Sequence, residues 1–257
     1  MSNREKFSFG AIITVRTSSK RLKKKCHQKI YKNKSLLEIV IERAKKINAK
    51  VIVATSKNPS DNDIVKIALE KNVSVFRGSL KNKIHRWHSC FKHYKLDYAI
   101  LVDADDPTFC YSIMNNALDR LVKFKVDIIC GSKSLLPGLI TYGISKRGIQ
   151  KLYLTAKNSK TDTDVIDVFL HRAKLNFLKI KPRIKEEYNH DIRLTVDYLE
   201  DLNFYKEIYK KISYLESSSK IIKCIKKNNL AKINWFRNND FKINQINFNK
   251  KLNKKNE

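Results

Sequence analysis

The chain has 257 residues, 42% of them hydrophobic, which is enough to form the core of one large domain, or of one domain with a tail. No apolar run reaches the roughly 20 residues that span a bilayer, and the first ten residues lack the apolar stretch of a signal peptide, so we expect a cytoplasmic protein without a membrane partner. The formal net charge of +29 comes mostly from lysines spread through the whole chain, and this pattern disfavours nucleic acid as the main substrate.

The first half of the chain alternates between predicted strands and predicted helices. Apolar runs rich in β-branched residues, which are typical of buried strands, lie at 9–15, 50–55, 73–78, 98–103 and 126–132. Apolar residues at helical spacing lie at 35–47, 63–72, 84–94 and 114–124. Ser35 and Glu38 form the pattern of an N-terminal capping box. Strands separated by such helices make right-handed crossovers, so we predict an α/β fold with a largely parallel sheet covered by helices on both faces.

The second half of the chain is less regular. Residues 139–145 predict a strand in an antiparallel part of a mixed sheet, and residues 146–156 predict a helix. Residues 192–196 predict a last short strand, which leads into a closing helix at 197–212. Beyond residue 229 the chain is polar and basic, so we predict one domain at 1–228 and a disordered tail at 229–257.

The loop after the first strand is rich in basic and hydroxyl side chains, and ligands of open α/β sheets bind at the carboxyl ends of strands. Arg16, Ser18, Ser19, Arg21 and Lys25 lie within ten residues there. Guanidinium, ammonium and hydroxyl groups in this density suit a polyphosphate, and a solvated basic loop is the alternative. The pattern is neither a P-loop nor a dinucleotide-binding glycine turn.

Three aspartates follow the fourth predicted strand, where residues 98–109 read YAILVDADDPTF. One interpretation is a D-x-D of Asp103 and Asp105, as metal-dependent GT-A-type glycosyltransferases use. The other is a split Mg²⁺ site of Asp105 and Asp197, since Mg²⁺ takes one or two carboxylates with phosphate oxygens and water. An N-cap of the closing helix is the alternative role for Asp197. Five scattered cysteines without a C-x-x-C pair argue against a zinc site.

Five short motifs occur in one order: R-x-x-S-x-R-L-x-x-K, A-T-S, F-R-G, D-x-P and R-L-T-V-D-x-x-x-D-L. Over roughly residues 9 to 212 this ordered set resembles the spore-coat polysaccharide type of cytidylyltransferase, and more distantly the 3-deoxy-manno-octulosonate and acylneuraminate cytidylyltransferases. The resemblance implies a nucleotide-diphospho-sugar-transferase-like α/β/α sandwich. It also implies a nucleotidyltransferase that transfers CMP from CTP to an acidic sugar and releases pyrophosphate, in surface polysaccharide biosynthesis.

The resemblance also assigns residues to roles. It implies that the CTP phosphates are gripped by Arg16, Ser19, Arg21 and Lys25, with the two arginines and the lysine in a catalytic role. It places Thr55, Ser56, Arg77 and Gly78 around the nucleotide or sugar. It makes Asp105 and Asp197 the Mg²⁺ ligands, with Asp105 catalytic. Arg86 matches a retained basic position on the substrate side. Independently of the resemblance, His190 just before the last predicted strand is either a substrate contact or a surface histidine.

Several positions depart from the family pattern. The family has Pro-Gly where this chain has Lys23-Lys24, an acidic residue where it has Asn82, and glycine where it has Ala104. Where the family has a segment with Glu-His, this chain reads TDTDVIDVF. The resemblance therefore says least about the residues of the acceptor pocket. The family often dimerises through its irregular middle, here about 133–180, and we therefore expect a homodimer. The residues do not choose among sialic, legionaminic, pseudaminic and octulosonic acids or a phosphonate as acceptor.

Overall fold

The computed structural model describes residues 6–18, 22, 24–163, 166–188, 192–241 and 243. Its strands are β1 (Phe9–Thr14), β2 (Lys29–Tyr31), β3 (Lys34–Ser35), β4 (Lys50–Ser56), β5 (Ser74–Gly78), β6 (Tyr98–Asp103), β7 (Ile128–Gly131), β8 (Tyr142–Ser145) and β9 (Phe177–Ile180). Its α-helices are α1 (Leu36–Ala44), α2 (Asn62–Glu70), α3 (Lys83–Tyr94), α4 (Tyr111–Phe124), α5 (Lys146–Leu154), α6 (Asp167–Arg172), α7 (Leu199–Lys211) and α8 (Ser218–Lys227).

Seven of these strands form one mixed sheet in the order β5-β4-β1-β6-β8-β7-β9. β8 runs antiparallel to both of its neighbours, and the other neighbouring strands pair in parallel. The mixed, mostly parallel sheet predicted from the sequence is therefore confirmed. The carboxyl ends of β1, β4, β5, β6 and β7 all lie at one edge of this sheet, which we call the carboxyl edge.

Helices cover both faces of the sheet. Successive strand residues point to opposite faces. In β1, Ile13 is buried in an apolar cluster with Val40 of α1 and Met114 of α4, whereas Ile12 is buried in a second cluster with Trp87 of α3. The predicted three-layer α/β/α sandwich is confirmed by these two clusters.

The first helix begins where the sequence predicts. Ser35 is the N-cap of α1 and accepts a hydrogen bond from the Glu38 amide, and the Glu38 carboxylate accepts one from the Ser35 amide at 2.7 Å. This reciprocal pair satisfies two amides that a helix start otherwise leaves without partners.

The prediction of a strand at 192–196 is wrong. In the described part of the chain these residues belong to no sheet, although the Val196 amide donates to the Asp105 carbonyl at 2.8 Å. The sequence missed β9, which occupies the sheet edge beside β7. Phe177 in this short strand is 41% exposed, so the strand lacks the buried apolar run on which strand prediction depends.

The segment 133–180 is more regular than the sequence suggested. Its described residues include β8, α5, α6 and β9. The role of this segment in forming a homodimer stays a prediction.

The chain continues to pack after residue 228. Leu230 and Asn234 are 8% and 1% exposed, and the turn that contains Leu230 lies against α7. The predicted boundary at 228 stays a prediction, and residues 242 and 244–257 of the tail lie outside the described residues. None of the described helices is long and apolar enough to cross a membrane.

Gly148 in the first turn of α5 predicts a large effect of a single methyl group. A Cβ at this position would overlap the backbone carbonyl oxygen of Asp127, which cannot move aside like a side chain. We expect Gly148→Ala to lower the free energy of unfolding by about 2 kcal/mol in urea titrations. Gly131→Ala is the control because its Cβ would meet the movable Leu135 side chain at 3.1 Å. Equal stability of the two variants would contradict this packing.

Candidate active site

The turn after β6 gathers three carboxylates. The Asp106 amide donates to the Asp103 carbonyl at 3.2 Å, which closes a tight turn. Carboxylate oxygens of Asp103, Asp105 and Asp106 consequently lie within 4.8 Å of one another. Burial and the charges of Asp105 and Asp103 raise the pKa of Asp106 well above its ordinary value. This crowding favours the protonated form of Asp106 unless a cation lies nearby.

A lysine from the first loop joins this turn to Asp197. The Lys25 Nζ atom lies 2.6 Å from Asp105 Oδ2 and 3.2 Å from Asp197 Oδ1, and it also donates to the Val196 carbonyl at 3.0 Å. The structure thus brings Lys25 into contact with two residues that lie 80 and 172 positions after it in the sequence. Asp197 is not the N-cap of α7, because that position belongs to Tyr198.

The Lys25 ammonium and the Asp105 carboxylate each stabilise the charged form of the other. Burial lowers the pKa of Lys25, but the charges of Asp105 and Asp197 outweigh burial, so that its pKa lies above the ordinary value. Burial likewise raises the pKa of Asp105, and the Lys25 charge outweighs it to leave the pKa below the ordinary value. The ammonium and the Asp105 carboxylate are therefore both ionised at neutral pH.

A buried hydrogen-bond network centred on Asp201 of α7 holds the backbone of Asp197. One oxygen of Asp201 accepts hydrogen bonds from the backbone amides of Asp197 and Tyr198 at 2.8 and 2.9 Å and from Arg193 at 3.0 Å. Its other oxygen accepts from Arg193 Nη2 and from Asn234 Nδ2. Since Arg193, Asp201 and Asn234 are all at least 95% buried, this network fixes the backbone that carries the Asp197 carboxylate.

Asp61 connects the loop after β1 to the end of β4. Its carboxylate accepts from the Thr17 amide at 2.9 Å, from the Thr55 hydroxyl at 2.9 Å and from the Ser56 amide at 3.1 Å. The Thr17 and Ser56 hydroxyls also donate to it. The hydroxyls of Thr55 and Ser56 are thus used inside the protein, and the nucleotide contact predicted for these residues stays a prediction.

Arg77 braces the same end of the sheet from β5. Its Nε donates to the Ser56 carbonyl at 3.0 Å, its Nη2 to the Asn58 carbonyl at 2.9 Å and its Nη1 to the Asn62 side chain at 3.0 Å. In this position the guanidinium orders the loop after β4. Its predicted contact with the nucleotide or sugar is a separate proposal.

Two further arginines support the loop after β5. Arg86 is 1% exposed and donates to the Ser79 carbonyl at 2.6 Å, and Arg16 donates to the Leu80 carbonyl at 2.9 Å. Gly78 lets Arg86 approach, because a Cβ there would lie 2.9 Å from Arg86 Cγ. Arg16 therefore sits between the first loop and this one. The predicted Ser19, Arg21 and His190 lie outside the described residues.

The family model described as cytidylyltransferase matches residues 10–227, which is well over half of the chain. The chain belongs to the cytidylyltransferase family. It is therefore a nucleotidyltransferase that uses CTP, and the family match favours nucleotidyl transfer over the glycosyltransferase alternative.

Individual relatives of this cytidylyltransferase agree with the family match. An uncharacterized protein of Methanocaldococcus jannaschii is 30% identical over 205 residues, which make up 77% of this chain and 82% of that protein. A cytidylyltransferase from Leptospira borgpetersenii serovar Hardjo-bovis has a similar fold, with a TM-score of 0.78 and 22% identity over 88% of this chain and 96% of that one. A CMP:2-keto-3-deoxy-manno-octonic acid synthetase in complex with CTP gives a TM-score of 0.62 and 13% identity over 79% and 99% of the two chains.

Lys24, which stands where the cytidylyltransferase pattern has glycine, adopts a backbone conformation that favours glycine. Lys24 has φ 50° and ψ 34°, in the left-handed region that favours glycine, directly before Lys25. Glycine, which the resemblance places at this position in the family, can adopt such angles without strain. This chain holds a lysine in the same conformation, at a cost of about 1 kcal/mol.

Sequence reasoning missed several residues of the cytidylyltransferase site. Lys83 Nζ lies 3.8 Å from Asp103 Oδ1 and 5.1 Å from the Trp87 ring centroid, so a second lysine borders the carboxylate cluster. Arg193 and Asp201 were part of a quoted motif but had no assigned role. Arg193 lies four residues before Asp197 and Asp201 lies four residues after it. This spacing was the sequence signal that could have marked both residues as supports of Asp197.

Asn82, noted above as a departure from the family, is a fully buried connector. Its side-chain amide donates to the carbonyls of Ala156 and Asn158 at 2.7 and 2.8 Å, and its oxygen accepts from the His85 amide at 2.8 Å and from the Thr163 hydroxyl at 3.2 Å. An amide supplies both donors and acceptors, whereas a carboxylate supplies acceptors only. The substitution therefore fits a structural role that ties α3 to the segment 156–163.

Proposed function

We propose that this cytidylyltransferase transfers CMP from CTP to an acidic sugar of the nonulosonate or octulosonate type, in a Mg²⁺-dependent reaction that serves surface polysaccharide biosynthesis. The observation that carries the proposal is the group of Lys25, Asp105 and Asp197 at the carboxyl edge. It combines one cation of a type that suits phosphate with two carboxylates that lie 2.6 and 3.2 Å from it. The spore-coat polysaccharide subfamily suggested by the motifs belongs to this proposal.

The two aspartates suit the metal that the proposal requires. Asp105 and Asp197 offer hard carboxylate oxygens from two segments, which is the usual protein share of a Mg²⁺ site whose other ligands are phosphate oxygens and water. Their carboxylates already share one cation, the Lys25 ammonium, which supports a second use of the same place by a metal. Bound there, Mg²⁺ would polarise the α-phosphate and help to acidify the attacking hydroxyl.

The side chains at the first loop serve the leaving group. The acceptor hydroxyl oxygen forms a bond to the α-phosphorus of CTP while the bond from the α-phosphorus to the bridging oxygen breaks, and the hydroxyl proton passes to water. Negative charge develops on pyrophosphate as it leaves. Arg16, oriented by the Leu80 carbonyl, and Lys25 offset that charge. No covalent intermediate with the enzyme is involved.

A cavity at the same edge of the sheet offers a place for the acceptor. It measures about 260 Å³ and lies between the end of β7 and the start of β8, with Ser132, Lys133, Thr141 and Tyr142 among its lining residues. Tyr142 pairs with Leu101 of β6, two residues before Asp103, so the cavity opens at the carboxyl edge. A lysine and hydroxyls next to an apolar wall suit an acidic sugar.

Pyrophosphate release tests the proposed function. We expect release only with CTP among the four nucleoside triphosphates, only with an acidic sugar present, and only with Mg²⁺. EDTA should abolish it, and neutral hexoses at the same concentration serve as the control acceptors. A chain that releases no pyrophosphate with any acidic sugar in the panel, or prefers another triphosphate, would contradict the proposal.

A further inference from the structure

Lys25 is fully engaged by its own protein. Its side chain is 17% exposed, and its ammonium contacts Asp105, Asp197 and the Val196 carbonyl. An ammonium has three N–H donors, so these contacts use all of them. A phosphate oxygen can gain a hydrogen bond from Lys25 only if one of the three present contacts is given up.

The same ammonium also occupies the space between the two carboxylates. A divalent cation bound to Asp105 and Asp197 would stand within a few ångströms of the ammonium. Two cations at such a distance in a buried site repel each other strongly, since the local dielectric is low. The Lys25 contacts and the metal contacts therefore exclude one another.

We propose that Lys25 is an internal counter-ion that makes the metal site conditional on the nucleotide. Phosphate draws the ammonium away from Asp105 and Asp197, and the divalent cation takes its place between them. This inference rests on the proposed function and adds an order of binding to it, with the nucleotide before the metal. Coupling between two ligands is reciprocal, so nucleotide and metal strengthen one another's binding.

The backbone around Lys25 is consistent with such an exchange. Lys25 begins a three-residue 3₁₀ helix, Lys25–His27, and follows the strained Lys24. Its long flexible stem can move the ammonium by several ångströms without a change in the fold. Lys83 near Asp103 remains to neutralise the cluster when Lys25 leaves.

Direct metal binding tests the counter-ion. Mn²⁺ binding to the full chain, followed by electron paramagnetic resonance without nucleotide, should be at least about tenfold tighter in Lys25→Met than in the wild type. Lys29→Met is the matched control, because Lys29 is 58% exposed and pairs with Glu38 away from the site. It should leave Mn²⁺ affinity within about twofold of the wild type. Lys25→Gln, which keeps two donors, serves if Lys25→Met fails to fold.

Nucleotide binding in EDTA tests the exchange without a metal. Asp105→Asn removes one of the two carboxylate charges that hold the Lys25 ammonium. The variant should therefore bind CTP at least about fivefold tighter than the wild type in calorimetry. Asp103→Asn removes the same charge from a carboxylate of the same turn that lies 3.8 Å from Lys83, and should give a clearly smaller gain. Equal gains in both variants would overturn the exchange.

The outcomes separate this inference from the proposed function. If wild type and Lys25→Met bind Mn²⁺ equally well without nucleotide, the counter-ion role is overturned while the metal assignment stands. If neither binds Mn²⁺ without nucleotide, the counter-ion role is overturned, and Mn²⁺ binding in the presence of CTP then decides the metal assignment. The Mn²⁺ and CTP binding results can agree with the counter-ion role while no acidic sugar yields pyrophosphate. That combination would support Lys25 as a counter-ion and overturn only the proposed acidic-sugar acceptor.

Discussion

Asp105→Asn should reduce CTP-dependent pyrophosphate release by at least about a thousandfold while the protein stays folded. The change removes the carboxylate that contacts Lys25 at 2.6 Å and faces Asp197, so both the cation contact and the proposed metal contact are lost. The fold should tolerate the loss, because the variant also relieves repulsion within the carboxylate cluster. Steady-state release rates and a thermal unfolding curve measure the two effects.

Asp103→Asn is the matched control for that variant. Asp103 belongs to the same turn, and its carboxylate lies 3.8 Å from the Lys83 ammonium. We expect it to lower the rate by no more than about tenfold. If Asp103→Asn proves as damaging as Asp105→Asn while Asp197→Asn stays active, the D-x-D interpretation is correct and the split site is wrong.

Asp201→Ala should give the largest loss of stability among single substitutions at the site, about 3–5 kcal/mol in the free energy of unfolding. The variant leaves the Arg193 guanidinium buried and without its carboxylate, because that pair is 5% and 0% exposed. It also deprives the Asp197 and Tyr198 amides and the Asn234 side chain of an acceptor. Chemical denaturation followed by circular dichroism gives the change in unfolding free energy.

Glu200→Gln is the control on the neighbouring residue. Glu200 is 27% exposed and pairs with Arg237, so the loss of its charge should cost less than about 1 kcal/mol. An Asp201→Ala variant that stays within about 1 kcal/mol of the wild type would show that the network does not hold the Asp197 backbone.

Sequence reasoning succeeded where local patterns determine the structure. Residues 98–102 form a continuous apolar run that ends at Asp103, and β6 matches the predicted bounds of 98–103. Parallel strands deliver their carboxyl ends to a single edge. That rule, together with the resemblance to the cytidylyltransferases, placed Lys25 and Asp105 at one edge although they lie eighty residues apart, and the structure brings them into contact.

It failed where tertiary contacts decide. Residues 192–196 alternate like a strand, yet the described chain gives them no strand partner, and this follows from the surrounding packing rather than from their own composition. The use of the Thr55 hydroxyl depended on Asp61, six residues later, which only the folded loop brings back. The Asn234 contact with Asp201 comes from a segment whose composition suggested a tail.

The split metal site is the central claim, and anomalous diffraction from crystals grown with CTP and Mn²⁺ tests it most directly. We predict one anomalous peak within bonding distance of carboxylate oxygens from both Asp105 and Asp197, with the Lys25 ammonium moved onto a phosphate oxygen. A peak bound by Asp103 and Asp105 without Asp197, or Lys25 still seated between Asp105 and Asp197, would contradict the account.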